Sequence, residues 1–319
     1  MDRNLALEFV RVTEAAAIAA AGWIGKGDKN GADQAAVDAM RKSFNEMDFS
    51  GTVVIGEGQK DEAPELYTGE KVGKGGIEVD LAVDPLECTD SVAYGRYNAL
   101  SVIVGGPKGT LLSAPDTYME KIAAGPLAAH AIDLDARPTD TVQKVAKALY
   151  KKVEEVTVVI LDRERHKELI EEVRRAGARV RLITDGDIAG ALAPSLKDSG
   201  IDILMGIGAS TEAVLGAAGI KTLGGEMFCR FKPRNDADLA RLTELGLDTK
   251  KTYSTEDLAK GDMLTFTATG IIDGPLLSGI RFTDDGAISH SVVMRGKTKT
   301  IRYMTTHHHR DVEGKFYSH

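Results

Sequence analysis

Acidic side chains follow short apolar runs in the first third of the chain. Residues 84–89 read Asp-Pro-Leu-Glu-Cys-Thr and come directly after an alternating apolar segment, residues 78–84, that predicts a buried strand. Two carboxylates three residues apart, at a strand end that proline bends, can converge on one hard cation such as Mg²⁺ or Mn²⁺. Thr89 would place a hydroxyl beside that cation. The alternative is a turn in which Asp84 caps and Glu87 lies in solvent, because Asp-Pro dipeptides commonly start turns.

Further acids lie at the ends of other predicted elements. Glu57 and Asp61 follow the apolar run of residues 53–55, and Asp33 lies near Lys29. Taken singly, Asp33 fits the N-cap or first turn of a helix, and Glu57 fits a strand-end charge in solvent. Taken together, acids that recur at element ends beside glycine-rich loops indicate a site for divalent cations and phosphate.

Hydrophobic periodicity predicts the elements that position these acids. Apolar residues at three- and four-residue steps predict a helix over residues 4–23, and a second helix is predicted to begin near Asp33. Short apolar runs predict strands over residues 53–55, 78–84 and 99–104. This part of the chain therefore mixes helices with strands whose ends carry the acids.

Strand and helix alternate after Pro138. Strands are predicted over residues 156–161, 180–184 and 203–207, with helices between them, which is typical of a largely parallel sheet covered by helices. Residues 263–304 predict antiparallel strands. Ligands bind parallel sheets beyond the carboxyl ends of the strands. Polar segments at those ends are therefore candidate ligand contacts: residues 162–165, 185–187 and 208–212.

Length and composition limit the class of protein. A chain of 319 residues exceeds one hydrophobic core, so we predict two packed units. The change of pattern near Pro138 places the boundary between residues 140 and 150, which gives a domain over residues 1–145 with the candidate metal-binding and catalytic acids and a domain over 146–319 with the candidate substrate contacts. A net charge of −8 argues against nucleic-acid binding, and the longest apolar stretch is too short for a membrane span. The start of the chain lacks signal-peptide features, and two cysteines make no disulfide framework. We therefore expect a cytoplasmic protein.

Ordered segments over nearly the whole chain extend the Asp-Pro motif into a specific set. They are residues 8–16, 27–30, 32–33, 54–58, 61–64, 114–116, 118–121, 185–187, 206–208, 268–271 and 295–297. They resemble class II fructose-1,6-bisphosphatase, the bacterial type, of the lithium-sensitive phosphatase superfamily. The resemblance implies an α/β fold, a layered αβαβα sandwich with two sheets. It also implies hydrolysis of the 1-phosphate of fructose-1,6-bisphosphate, a small-molecule sugar bisphosphate.

The resemblance also implies roles for individual residues. It implies Mn²⁺ or Mg²⁺ as cofactor, with the metal ligands Asp33, Glu57, Asp84, Glu87 and Glu212. It implies catalytic support from Lys29, Asp61 and Thr89. Substrate contacts are implied at Glu87, Cys88, Thr89, Tyr118, Arg163, Glu164, Arg165, Asp185, Gly186, Asp187 and Ala209. In this interpretation the arginine forks hold the distal phosphate, and the Asp185 and Asp187 carboxylates accept hydrogen bonds from sugar hydroxyls.

The chain departs from the family pattern at a few positions. Cys88 replaces a glycine that normally lets the backbone approach phosphate closely. We expect its backbone to keep a negative φ with the sulfur turned away from the ligand, and nearby cations to make the thiol reactive. Asp90 is an acid where a neutral or basic residue is commoner, and residues 209–212 replace a more Gly/Pro-rich turn. Cys229 is predicted to lie in the core.

Two functions from different classes stay open. The first is a metal-dependent phosphatase, with sedoheptulose-1,7-bisphosphate as an added or alternative substrate. The second is a catalytically weakened sugar-phosphate-binding protein, disabled by Cys88 and Asp90. Retention of every proposed ligand acid favours the enzyme, because a mere binder has no need for like-charge crowding. We expect a homo-oligomer, either a dimer or a tetramer.

Overall fold

The chain forms two compact units. The structure is a computed structural model that describes residues 4–57, 66–311 and 313–316. Unit 1 comprises Met1–Thr110 with Met263–His319, and unit 2 comprises Leu111–Asp262. Unit 2 is therefore inserted in the chain of unit 1, which differs from the single boundary at residue 145 that the sequence predicted. The last strands complete the first sheet, and local periodicity does not encode such long-range pairing.

Strands and helices of both units are numbered in chain order. The strands are β1 (Ser50–Ile55), β2 (Lys71–Val72), β3 (Glu78–Glu87), β4 (Ala99–Pro107), β5 (Tyr118–Ala124), β6 (Thr157–Leu161), β7 (Arg179–Ile183), β8 (Ile203–Ala209), β9 (Glu226–Phe231), β10 (Thr265–Ile272), β11 (Arg281–Thr283), β12 (Gly286–Arg295) and β13 (Thr300–His309). The α-helices are α1 (Leu5–Ala21), α2 (Lys29–Phe44), α3 (Thr89–Tyr94), α4 (Pro138–Ala148), α5 (Lys167–Arg175), α6 (Asp187–Leu192), α7 (Ser210–Thr222), α8 (Asp236–Glu244) and α9 (Thr255–Leu258).

Unit 1 is built on a mixed sheet, which has eight strands in the part of the chain that the structure describes. The strand order is β11-β12-β10-β4-β3-β1-β2, and β13 pairs with β12. β1 and β3 are parallel, whereas β3, β4, β10 and β12 pair antiparallel in turn. The antiparallel strands predicted over residues 263–304 are therefore confirmed. β3 lies inside the sheet, which is why its run from Val79 to Val83 is buried at every position.

Helices α1 and α2 form the apolar core of unit 1 together with the sheet. The rings of Phe9, Phe44 and Phe49 are fully buried, with centroids 5.9–6.1 Å apart. Each buried phenylalanine stabilises the unit by about 1.5–3 kcal/mol. Asp28 caps α2 by accepting a hydrogen bond from the Gly31 amide at 2.9 Å. Both predicted helices are confirmed, and the second begins four residues before Asp33.

Unit 2 is an α/β sheet with the order β7-β6-β8-β5-β9. β6 runs parallel to β7 and β8, as predicted, while β5 runs antiparallel to β8 and β9. Val158 and Ile160 of β6 pack with α4 and α5, and Val159 on the opposite face lies near Gly190 of α6. The α/β class with two sheets and helices is confirmed. None of the described helices combines the length and apolar composition needed to cross a membrane.

Candidate active site

Two acids of unit 1 lie at the carboxyl ends of neighbouring parallel strands. Ile55 of β1 pairs with Ala82 of β3, and Glu57 and Asp84 each lie two residues further along. The Glu57 amide donates to the Leu66 carbonyl at 3.1 Å, which anchors the backbone just after β1. The parallel pairing of β1 and β3 therefore brings two carboxylates from separate segments to one edge of the sheet.

The end of β3 carries a β-bulge. The strand does not end at Asp84, as predicted, but continues through Pro85 to Glu87. Its pairing with β4 passes from Asp84–Val102 to Glu87–Leu100, so β3 has one more residue than its partner there. A bulge tolerates proline, which has no amide hydrogen to donate. Glu87 is only 4% exposed. The alternative of a capping Asp84 and a solvated Glu87 is therefore wrong.

Asp33 lies in the second turn of α2, close enough to affect Glu57. The N-cap of this helix is Asp28, so the capping interpretation of Asp33 is wrong. Burial raises the pKa of Glu57 to about 8, and the charge of Asp33 is the second cause. Burial also raises the pKa of Asp33. The two carboxyl groups are therefore partly shielded from water and within electrostatic reach of each other.

The donor set of unit 1 fits a hard divalent cation in its chemistry. Its four acids offer only carboxylate oxygens, the donors that Mg²⁺ and Mn²⁺ prefer. Among the described residues, no three or more His, Cys, Asp or Glu side chains are gathered closely enough to hold an ion. Asp61 lies outside the described residues. A cation between Asp33 and Glu57 would relieve the repulsion that raises the pKa of Glu57.

Cys88 has a left-handed backbone, contrary to the negative φ that we expected. It is the N-cap of α3, with φ 72° and ψ 51°. This conformation costs a non-glycine residue about 1–2 kcal/mol, and glycine avoids the cost. The Cys88 side chain is 6% exposed and lies in the core cluster that includes Leu86 and Val92. Its sulfur does turn into the core, but a thiol shielded in this way argues against the reactivity that we expected.

We expect Cys88→Gly to be more stable than Cys88→Ala by about 1 kcal/mol, because both lose the thiol and only glycine relieves the left-handed angle. Urea unfolding of the two variants measures the difference. Cys229 is the matched control, since it is fully buried within β9 and has ordinary strand geometry. There alanine should be the more stable replacement. If the alanine variant is more stable than the glycine variant at both positions, the left-handed conformation of Cys88 is contradicted.

Cys229 lies in the core, as predicted. Burial raises the pKa of its thiol to about 12, so it stays protonated and inert.

Lys29, the first residue of α2, is paired with Asp90. The Lys29 Nζ lies 2.5 Å from Asp90 Oδ1 and 5.4 Å from the centroid of the Tyr94 ring. The hydrogen bond to Asp90 raises the pKa of Lys29. Asp90, which departs from the family pattern, therefore places a negative charge beside Lys29, the proposed catalytic lysine. Nearby, the Thr89 hydroxyl donates to the Leu86 carbonyl at 3.2 Å, which orients it.

In unit 2, two guanidinium groups lie near the ring of Tyr118, the first residue of β5. The Cζ atoms of Arg165 and Arg234 are 4.6 and 5.4 Å from its ring centroid. Arg234 is held by ion pairs to Asp238 at 2.7 Å and Asp116 at 3.1 Å, and the hydrogen bond to Asp238 raises the pKa of Arg234. A guanidinium fork beside an aromatic ring suits a phosphate group, and Arg165 is the candidate here, because Asp238 and Asp116 engage Nε, Nη1 and Nη2 of Arg234. Sequence reasoning missed Arg234 as a neighbour of Tyr118, because the two residues are distant in sequence.

Both backbone polar groups of Ile207 in β8 are hydrogen-bonded to side chains of the short 3₁₀ turn Glu164–His166. Arg165 donates from Nε and Nη2 to the Ile207 carbonyl at 3.1 and 2.7 Å. The Ile207 amide donates to His166 Nε2 at 2.7 Å, and His166 Nδ1 donates to the Leu161 carbonyl at 2.7 Å. These contacts require a neutral imidazole with its proton on Nδ1. Sequence reasoning missed His166, whose only signal is its place after β6.

We expect the stability of the protein to fall below pH 6.5 because of His166. Burial lowers the pKa of His166 from its ordinary 6.5. Below pH 6.5 the unfolded state therefore binds a proton at this histidine more readily than the native state does. The contribution is constant above pH 6.5 and is lost as pH falls toward the native pKa, at up to about 1.4 kcal/mol per pH unit. Melting temperatures from pH 7.5 to 5 measure it. His166→Gln should flatten this fall, whereas the exposed control His130→Gln should keep it; identical profiles would contradict the assignment.

The turn between β7 and α6 holds three of the predicted substrate contacts. Gly186 has φ 97°, which suits glycine, and its amide donates to Asp185 Oδ1 at 3.2 Å. Asp187 Oδ2 forms an ion pair with Lys121 Nζ. The Lys121 side chain is only 2% exposed. Sequence reasoning missed Lys121, because a single lysine inside the apolar run of β5 carries no motif.

The remaining predicted contacts of unit 2 lie along the same edge of its sheet. Ala209, the last residue of β8, pairs with Tyr118, the first residue of β5. Glu212 lies in the first turn of α7, where burial raises its pKa. Arg163 and Glu164 lie two and three residues after the end of β6 and are exposed. This edge is where the carboxyl ends of the parallel strands meet, as the alternation of strands and helices predicted.

Comparison with known proteins identifies the family. A family model described as "Bacterial fructose-1,6-bisphosphatase, glpX-encoded" matches residues 3–308. The "Fructose-1,6-bisphosphatase 1 class 2" of Escherichia coli (strain K12) is 45% identical over 325 aligned residues, which cover 98% of this chain and 97% of the relative. The proteins named "Fructose-1,6-bisphosphatase class 2" from Escherichia coli O6:H1 and Shigella flexneri show the same identity and coverage. The chain therefore belongs to the bacterial class II fructose-1,6-bisphosphatase family.

Proposed function

We propose that the chain hydrolyses the 1-phosphate of fructose-1,6-bisphosphate to fructose 6-phosphate and phosphate, in a reaction that requires a divalent cation. One observation carries the proposal. Glu57, just after β1, is within electrostatic reach of Asp33 on α2, and the parallel pairing of β1 with β3 brings it to the same edge of the sheet as Asp84. Such crowding is unfavourable unless a cation is bound. Membership of the family supports the substrate.

Mn²⁺ or Mg²⁺ would be held in unit 1 by Asp33, Glu57, Asp84 and Glu87. The family pattern assigns one further ligand, Glu212, in unit 2. When bound, such a cation lowers the pKa of a water and neutralises charge on phosphate oxygens. Carboxylate oxygens accept both metals, so the donor set by itself favours neither.

Other residues of unit 1 would prepare the attacking water and the scissile phosphate. Thr89 would orient the water with a hydroxyl that is already fixed on the Leu86 carbonyl. Asp61 would share that role as the family pattern implies. Lys29 would offer positive charge to the phosphate, moderated by its ion pair with Asp90.

Residues of unit 2 would bind the part of the substrate that does not react. Arg163 and Arg165 would hold the distal phosphate, with Arg165 beside the Tyr118 ring. The carboxylates of the turn after β7, including Asp187, would accept hydrogen bonds from sugar hydroxyls.

We also propose that the enzyme is a cytoplasmic homo-oligomer, a dimer or a tetramer. Neither Cys88 nor Cys229 forms a disulfide, which agrees with a reducing compartment. Leu7, Phe282 and Tyr303 of unit 1 are 45%, 48% and 61% exposed. A second copy of the chain that covered these side chains would remove apolar area from water.

We expect phosphate release from fructose-1,6-bisphosphate with Mn²⁺ or Mg²⁺ and none with a chelator, because the metal-free acids repel the phosphate. Parallel assays with sedoheptulose-1,7-bisphosphate, which has one extra hydroxymethylene, decide whether the enzyme accepts both sugars. A control adds each metal back after chelation. A protein that binds either sugar phosphate but releases no phosphate with any metal would be the non-catalytic alternative and would overturn the proposal.

A further inference from the structure

Lys121 of unit 2 is a buried cation in β5, followed by the buried apolar residues 122–124. It lies in β5 opposite Gly206 of β8 and Cys229 of β9, and only 3% of the residue is exposed. Burying an ammonium group is unfavourable unless it is paired with an anion. Burial by itself lowers the pKa of Lys121, but the charges of Asp187 and Glu212 outweigh it and raise the pKa above 10.5. Lys121 is therefore a permanent charge inside the unit.

The partner of Lys121 lies in the predicted sugar site. Its Nζ donates to Oδ2 of Asp187, the first residue of α6, and the carboxylate is itself about nine-tenths buried. One carboxylate oxygen is therefore committed to the lysine, which leaves Oδ1 as the acceptor for a ligand hydroxyl. The lysine thus sets the direction in which Asp187 can accept.

Gly208 of β8 leaves space for this ion pair. A Cβ at this position would overlap Asp187 Oδ2 and lie 2.9 Å from Lys121 Nζ. On the neighbouring residue, Arg165 and His166 fix the carbonyl and the amide of Ile207. The backbone at the end of β8 is therefore fixed by hydrogen bonds at Ile207, and the absence of a side chain at Gly208 leaves room for the ion pair of Lys121 with Asp187.

Stability alone does not require a charged pair at this position. Well-packed apolar residues of similar volume commonly replace a buried ion pair with no loss of stability. A purely structural role would therefore be met equally well by an apolar pair. A charged pair is needed, however, if the Asp187 carboxylate must stay ionised and keep one orientation in order to bind a ligand.

We propose that Lys121 is a positioning residue that orients the Asp187 carboxylate toward a sugar hydroxyl and so contributes to substrate recognition. This inference rests on the proposed function. It concerns binding of the sugar and not the chemistry at the phosphorus atom, so it predicts a change in affinity for ligands that carry the sugar.

The test compares Lys121→Met, Asp187→Asn and the double variant. Calorimetry with Mg²⁺ present gives the Kd for fructose 6-phosphate and for inorganic phosphate. Lys121→Met and Asp187→Asn should each raise the Kd for fructose 6-phosphate about tenfold or more, as expected for a lost charge-assisted hydrogen bond. The Kd for inorganic phosphate should change less than about threefold, because phosphate carries no sugar hydroxyl. The KM for the bisphosphate should rise with little change in kcat.

Because Lys121 acts through Asp187, the double variant should bind no more weakly than Asp187→Asn alone. This comparison stands even if Lys121→Met does not fold, since the double variant buries two neutral isosteres. Normal sugar affinity in Lys121→Met, equal weakening for both ligands, or additive losses in the double variant would overturn the proposal. A wild type that binds fructose 6-phosphate but does not hydrolyse the bisphosphate would sink the proposed function alone, because the calorimetric comparison remains readable.

Discussion

Asp84→Asn is expected to lower kcat by about 10³-fold or more while the protein stays folded. The substitution keeps the shape of the side chain but removes the charge that, in our proposal, helps to hold the cation. A cation that activates water and clamps phosphate oxygens contributes several kcal/mol to transition-state stabilisation, and each factor of ten corresponds to about 1.4 kcal/mol. Phosphate release at saturating substrate and metal measures the loss, and circular dichroism checks the fold.

Asp80→Asn is the matched control for Asp84→Asn. Asp80 lies on the same strand, is 4% exposed, and accepts a hydrogen bond from the Gly109 amide at 2.6 Å. Its turnover should remain within about twofold of wild type, because catalysis does not involve this contact. Near-normal turnover in Asp84→Asn with an unchanged metal requirement would remove Asp84 from the metal site.

Local pattern predicted most elements but not their long-range pairing. The helices that became α1 and α2 follow from periodicity, and the strands β6 and β8 follow from short buried apolar runs. β7 was also predicted, although none of its residues is buried. Periodicity does not show which strands pair at long range. Strand β10 therefore joins β4 of unit 1, and the predicted boundary at 145 did not anticipate this.

Whether a site residue could be predicted depended on the kind of sequence pattern that marks it. Acids at strand ends were recognisable because a carboxylate after an apolar run is unusual. At Cys88 the reasoning attributed the family's glycine to close approach of a phosphate, whereas the structure shows a left-handed φ that suits glycine by itself. Lys121 and His166 were missed because each acts through a partner distant in sequence, Asp187 and Ile207 respectively. Buried polar partners of this kind have no fixed spacing.

The pair Lys29 and Asp90 shows how a departure from the family pattern can be compensated locally. Asp90 would be unfavourable beside a phosphate, but its carboxylate is hydrogen-bonded to the Lys29 ammonium. The two side chains are 44% and 46% exposed, so water screens the added negative charge. This compensation argues against the view that Asp90 disables the protein.

Gly208→Ala is expected to lower the stability of the protein by about 3 kcal/mol or more, because the new methyl group and the buried ion pair cannot occupy the same space. The added Cβ would overlap Asp187 Oδ2 and lie 2.9 Å from Lys121 Nζ. Moving the carboxylate would separate it from a lysine that has little access to water. For a chain of 319 residues the expected fall in melting temperature is roughly 4–5 °C or more.

The matched control for Gly208→Ala is Gly22→Ala at the end of α1. There the nearest atom to an added Cβ is the Ala19 carbonyl oxygen at 3.4 Å, and φ is −62°, which alanine adopts readily. This variant should melt at or slightly above the wild-type temperature, since alanine loses less backbone entropy on folding than glycine. Differential scanning calorimetry of both variants makes the comparison. If Gly208→Ala also melts at the wild-type temperature, the Asp187 carboxylate does not lie over Gly208, and the orientation that we assign to it through Lys121 is wrong.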